Sequence, residues 1–202
     1  MSYEPVPDGE LAAIVTFLEM LEPPQVQVPA SDLSLRPIPN PDVDRYRQLF
    51  RMIGQDWLWF SRLTMTDEAL VAIISDPGIE LFAIVDLLGT EIGILELDFR
   101  EKDQCELAFV GILPELAGRG HGRWLLAETL RLAWRDGVRR VHVHTCTLDH
   151  PAALPSYRSV GFSAYKRAIE RFPDPRLLGI LPRSAAPQVP LLGTETPSRP
   201  AT

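Results

Sequence analysis

Residues 109–122 read FVGILPELAGRGHG. The apolar run at 105–113 has the character of a strand and meets a turn at Pro114. Small residues follow, and a helix is expected over about 122–136. Gly118, Gly120 and Gly122 crowd the point where that helix begins. Glycine permits positive φ and lets backbone approach a ligand closely. A helix start offers unpaired N–H groups at the positive end of a dipole. Together they form an anion site, most simply for phosphate. Arg119 and Arg123 add positive charge. The plain alternative is a glycine-rich turn opening an ordinary helix. A Walker loop requires Lys-Ser/Thr after its last glycine, and Arg-Trp stands here instead. A dinucleotide fingerprint requires G-x-G-x-x-G, and this loop runs G-x-G-x-G.

Downstream, Leu125, Leu126, Thr129, Leu130, Ala133 and Trp134 share one helical face. Gly137 is a natural stop. RVHVHTCT at 140–147 alternates as a strand does. Strand, helix and returning strand make a crossover unit. A short helix is expected over 151–160, with Asp149 as a cap and Pro155 kinking it or delaying its start. A last strand is expected over 162–172. Upstream, 79–88 and 91–99 form a hairpin, and with 105–113 a three-strand meander. Before it come a strand at 33–38 and helices at 43–53 and 67–74, capped by Asp42 and Thr66. The aromatic run DWLWFSRL lies between those helices. Residues 11–20 fit a helix face, but Ile14 to Phe17 favour a strand, the preferred reading. By the two-residue period, Glu106 faces away from Leu107 and Phe109.

The loop resembles the acyl-CoA-binding signature of the GNAT superfamily of N-acyltransferases, R/Q-x-x-G-x-G/A after a strand and a Pro. The match is Ala117-Gly118-Arg119-Gly120-His121-Gly122, with Ala at the first position. A second landmark, N-x-x-A-x-x-x-Y-x-x-x-G-F, resembles His150, Ala153, Tyr157, Gly161 and Phe162, with His for Asn. Two landmarks in the right structural contexts are far more specific than one. The resemblance implies an α/β (α+β) fold: a mixed, mostly antiparallel sheet of about six or seven strands, flanked by about four helices. A splayed parallel strand pair would hold the acyl-CoA. Backbone groups of Ile112 and Leu113 would hold its pantetheine arm. Gly118, Arg119, Gly120, His121, Gly122 and Arg123 would hold its pyrophosphate, with His150 and Ala153 beside it. Tyr157 would be the general acid, since a phenol with a pKa near ~10 can donate to a thiolate. Otherwise it is a tyrosine packed under the sheet. Glu106 would be the general base; otherwise it is a solvated strand residue. Trp57, Trp59, His144 and Thr145 would border the acceptor, although tryptophans also serve as core.

The chain has 202 residues, 46% of them hydrophobic, which suits one domain with a real core. Residues 33–173 are expected to be the catalytic domain. Residues 1–32 would be an extension with an extra strand and a Pro-rich linker, and 174–202 a Pro-rich, partly disordered tail, loose from about 183. A net charge of −7 without a basic stripe excludes nucleic acid as a general partner. No apolar run reaches membrane-spanning length, and no secretory leader is evident, so a cytoplasmic setting is expected. Cys105 and Cys146 are expected to be free thiols. His142 and His144 share a strand face but lack a third ligand, so no metal is expected. The expected activity is acetyl transfer from acetyl-CoA to a primary amine of a small molecule or peptide. The rival readings are a non-catalytic acyl-CoA-binding module and a nucleotide-binding protein. Free sheet edges would suit a homodimer.

Overall fold

The run LAAIVTFLEM buries Ala13, Val15, Leu18 and Met20 and leaves Ile14 exposed. It forms β1 (Glu10–Met20), which lies inside the sheet with neighbours on both sides. The remaining elements are β2 (Ser34–Pro37), α1 (Val43–Gly54), α2 (Asp67–Ile74), β3 (Ile79–Val85), β4 (Glu91–Asp98), β5 (Gln104–Ile112), α3 (His121–Ala133), β6 (Arg140–Cys146), α4 (Ala153–Ser159) and β7 (Ser163–Pro173). This computed structural model describes residues 2–25, 27–116 and 118–193. The seven strands run in the order β2-β3-β4-β5-β6-β1-β7. All neighbours are antiparallel except the parallel pair β5–β6.

Capping chemistry fixes the first two helices. Asp42 and Thr66 accept from the backbone N–H groups of Arg45 and Ala69. Pro155 is the third residue of α4, where no intrahelical N–H partner is lost, so the helix begins late rather than kinking. α3 ends at Ala133, short of the expected Asp136, because Trp134 turns extended.

Two cores lie on opposite faces of the sheet. Tyr46, Phe50 and Ile53 of α1 and Leu70 of α2 pack on Leu81, Ala83 and Ile94. Leu125, Leu126 and Leu130 of α3, with Tyr157 of α4, pack on Leu95, Leu107 and Val141. Leu107 and Phe109 are separated by these faces, against the two-residue period. The register steps from Leu97↔Leu107 to Glu96↔Phe109, so Ala108 is an extra residue. Such a bulge turns the following side chains over. Phe109 therefore joins the α1 face, beside Phe50 and Trp59.

The parallel pair is short. Only Gln104–Glu106 pair with Arg140–His142, although both strands continue. Beyond that point β5 and β6 diverge and open a gap toward their C-terminal ends.

The segment after β7 differs from the loose tail expected past residue 183. Leu177, Leu181, Ala185 and Ala186 are buried. Arg176, at 2% exposure, pairs with Asp174 and also donates to the carbonyls of Ala185, Ala186 and Val189. One buried guanidinium thus satisfies a chain rich in Pro and small residues that has no regular ladder. Residues 194–202 lie outside the described part.

Candidate active site

The glycine loop sits at one end of the gap. Gly118 and Gly120 have φ of 78° and 86°, in the left-handed region. Gly120 is the N-cap of α3 and provides no side-chain cap. Arg123 N–H donates to the Gly120 carbonyl at 3.3 Å, and the N–H groups of His121 and Gly122 before it are left for another acceptor. A Cβ built on Gly118, Gly120 or Gly122 meets nothing within 4 Å, so the space before the helix is open. These features fit a pyrophosphate: uncapped donors, the positive helix end, and Arg119 and Arg123 alongside. Ala117 lies outside the described residues.

Backbone direction along β5 is set by its pairing with β4. Leu113 N–H donates to Ile92 C=O at 2.8 Å. In an antiparallel ladder, successive residues turn their polar groups to opposite sides. Ile112, opposite Gly93, therefore turns its N–H and C=O into the gap. Of the two expected residues, Ile112 offers its backbone there, while the Leu113 N–H is committed to β4.

A cleft of about 620 Å³ runs through the gap. Glu106, Ile112, Gly118, Gly122, His144, Thr145, His150, Ala153, Tyr157, Trp57 and Trp59 line it, so most of the expected site residues come together. Leu113, Arg119, Gly120, His121 and Arg123 are not in its wall. Tyr157 is 9% exposed and packs edge-on against Phe162. Burial pushes its pKa up, reinforced by the Asp149 carboxylate, so the phenol stays protonated.

The opposite end is assembled from distant segments. Glu106 and His144 meet at 3.2 Å between Oε1 and Nδ1. This hydrogen bond lowers the pKa of Glu106 and raises that of His144. His142, one turn of the pleat earlier, is instead pushed down by burial. Trp59 donates Nε1–H to Asp149 at 3.1 Å, and its ring lies against Phe109 and Phe50. Gly54 and Gly111 make room for it: a Cβ on Gly54 would come within 2.4 Å of Trp59, and one on Gly111 within 3.3 Å. Trp57 turns the other way and meets His150 edge-on at 4.9 Å. His150 accepts from Ala152 N–H, so its ring caps the chain entering α4.

Three features were not read as parts of the site from the sequence. Asp149 accepts from Thr145 Oγ1 and from Cys146 N–H, both at 2.7 Å, as well as from Trp59. It ties the end of β6 to the aromatic wall rather than capping α4. Glu96, fully buried in β4, accepts from Tyr46 and pairs with Arg62. Burial works against the Arg62 charge, and the Glu96 carboxylate outweighs it. Phe109 enters the wall only through the bulge. A charged residue inside an apolar strand was the one available signal for Glu96. Cys105 and Cys146 are both free. Burial pushes the Cys146 thiol up to about 11, away from nucleophilic use. Among the described residues, no three His, Cys, Asp or Glu side chains gather as metal ligands, and no helix is long and apolar enough to cross a membrane.

The family model for the Acetyltransferase (GNAT) family matches residues 46–162, more than half of the chain. The N-alpha-acetyltransferase RimI of Mycobacterium tuberculosis is 44% identical over 70 residues, 35% of this chain and 42% of RimI. A GCN5-related N-acetyltransferase from Sphaerobacter thermophilus superposes with a TM-score of 0.58 at 19% identity, over 83% of this chain and 52% of that one. A spermidine N-acetyltransferase from Vibrio cholerae, in complex with CoA and spermine, gives 0.55 at 20% identity, over 70% and 94%. This chain thus spans less than half of the RimI length and about half of the Sphaerobacter protein.

Proposed function

Because the chain belongs to the GNAT acetyltransferase family, we propose that it transfers the acetyl group of acetyl-CoA to a primary amine on a small molecule or peptide. One observation carries the reading. A single cleft joins the open helix start at Gly118 and Gly122, the inward-facing Ile112, the Glu106 carboxylate and the Tyr157 phenol. The thioester supplies the activated acetyl group. Ile112 can pair with the amides of a pantetheine arm as one more strand would. The first N–H groups of α3, with Arg119, His121 and Arg123, hold the pyrophosphate, and His150 and Ala153 border the donor.

Glu106 takes the proton that the attacking amine loses. The C–N bond forms as the C–S bond breaks, and Tyr157 gives its proton to the departing sulfur. Trp57, Trp59, His144 and Thr145 border the acceptor amine. Residues 33–173 form the catalytic unit, with β1 from the preceding segment completing its sheet. The free thiols support a cytoplasmic setting. The long outer edge of β7, which pairs only with β1 among the described residues, supports a homodimer.

Acetyl-CoA is expected to raise the melting temperature, while ATP and NAD leave it unchanged. A CoA ester without effect would remove the donor assignment. Tyr157→Phe is expected to slow turnover by about 10²-fold with acetyl-CoA affinity little changed; full turnover would remove the acid.

A further inference from the structure

Leu58 has φ 57° and ψ 35°, a left-handed conformation that a branched side chain adopts at a cost. It stands between Trp57 and Trp59, the two tryptophans of the acceptor wall. The left-handed step lets them part, Trp59 toward Phe109 and Trp57 toward His150. The turn is closed locally, as left-handed helix ends usually are: Leu58 N–H donates to Gln55 C=O at 3.2 Å and Trp59 N–H to Gly54 C=O at 2.9 Å. The Leu58 side chain is 4% exposed, in a small core of its own with Leu181, Ala185 and Ala186. Leu148, beside Asp149, packs against the same core.

That core belongs to the segment after β7, outside the stretch that the family model matches. The segment is closed on itself by Arg176, whose guanidinium reaches Asp174 and three backbone carbonyls. It is hooked to the wall by Gln188, whose Nε2 donates to the Asp56 carbonyl at 2.6 Å. The C-terminal segment thus grips the same turn from outside, through the Leu58 side chain and the Asp56 carbonyl.

We propose that residues 174–193 form a strap that anchors the Leu58 side chain and the Asp56 carbonyl and thereby positions Trp57 and Trp59 for the acceptor, with Arg176 as the positioning residue. The strap's effect falls on acceptor recognition and leaves the donor alone. The consequence for the reaction rests on the acetyltransferase reading above; the positioning itself does not.

The test uses full-length protein carrying 5-fluorotryptophan, with the four fluorine lines assigned by single Trp→Phe changes. Arg176→Lys keeps a charge for Asp174 but cannot span the three carbonyls. Leu58→Gly removes the anchor, and glycine carries the left-handed backbone without strain, so the fold is kept. In both variants the Trp57 and Trp59 lines are expected to shift while the Trp124 and Trp134 lines stay. Trp57 and Trp59 lines unmoved in both, or all four moving together in Leu58→Gly, would overturn the strap. With n-hexylamine as acceptor, KM for the amine should rise by about tenfold while KM for acetyl-CoA stays within about twofold. An equal rise in both would also count against it. Should no amine be acetylated by the unaltered protein, the enzymatic reading falls, and the fluorine lines still decide the strap.

Discussion

The two ends of the cleft are built in different ways. The donor end is one continuous stretch of chain, β5 running through Pro114 and the glycines into α3. Its chemistry is backbone chemistry: N–H groups at an uncapped helix start and the groups that Ile112 turns into the gap. The acceptor end draws on residues 57–62, on β5, on the end of β6 and on Asp149, with support from beyond β7. Its chemistry is side-chain chemistry, and Trp57, Trp59 and His144 are each fixed by a partner far away in sequence. A local site depends on backbone conformation, so a single change of φ can break it. A dispersed site depends on cross-links, so removing one loosens it by degrees.

The largest effect is therefore expected at Gly120. Its φ of 86° excludes a β-branched residue at a cost of ~1–2 kcal/mol for a left-handed position. A Cβ there meets no protein atom within 4 Å, so the fold survives and the loss falls on the ligand. Gly120→Val should reduce acetyl-CoA affinity by about 10²-fold or more, measured by calorimetry, with the circular dichroism spectrum retained. Gly120→Asn sharpens the point. Asn tolerates left-handed backbone, so it should retain more affinity than Val. If Asn and Val lose affinity equally, close approach rather than φ governs the loop.

The same contrast explains what could be read from the sequence. The meander, the crossover and the capped helices follow from alternation, periodicity and turn residues, all local signals. So does the glycine loop, because the helix start and its anion chemistry lie within one stretch. The bulge at Ala108 has no such signal, since an extra residue is defined only against a partner strand. It places Phe109 on the α1 face, beside Phe50 and Trp59. Asp149 looked like a helix cap from its neighbours, but it accepts from Thr145 and Cys146 just before it, and its third partner, Trp59, arrives only when β6 meets the aromatic wall. Glu96 and Arg62 are 34 residues apart and become a pair only in the folded core. The C-terminal segment looked loose because its composition is that of a tail. One buried arginine, indistinguishable by sequence from a surface one, organises it.

At the dispersed end, Asp149→Ala is expected to act by an intermediate amount. It leaves three donors without their acceptor, at about 1–3 kcal/mol for each one kept from water. Trp59 and Thr145 would drift, and acceptor KM should rise by about tenfold, with acetyl-CoA affinity unchanged in the same calorimetric assay. A matching loss of donor affinity would mean that the two ends are mechanically one.

The smallest effect is expected at His144, and it is a shift rather than a loss. The hydrogen bond from His144 holds Glu106 below its ordinary carboxylate pKa, and Glu106 holds His144 above its ordinary imidazole value. The stability carried by the lowered Glu106 is present above its unfolded pKa and disappears as pH falls through the folded one. The stability carried by the raised His144 is present below its unfolded pKa and disappears as pH rises through the folded one. The pair is thus strongest between the two ordinary values, 4.5 and 6.5, and weakens on either side. As the proposed base, Glu106 must be ionised, so the acidic limb of kcat/KM is expected to follow its pKa. His144→Ala should move that limb to higher pH, because the carboxylate loses its partner. Near neutral pH, turnover should change by only a few-fold, since Glu106 remains ionised there. An acidic limb that stays in place would detach Glu106 from proton removal. The acceptor end would then need another base.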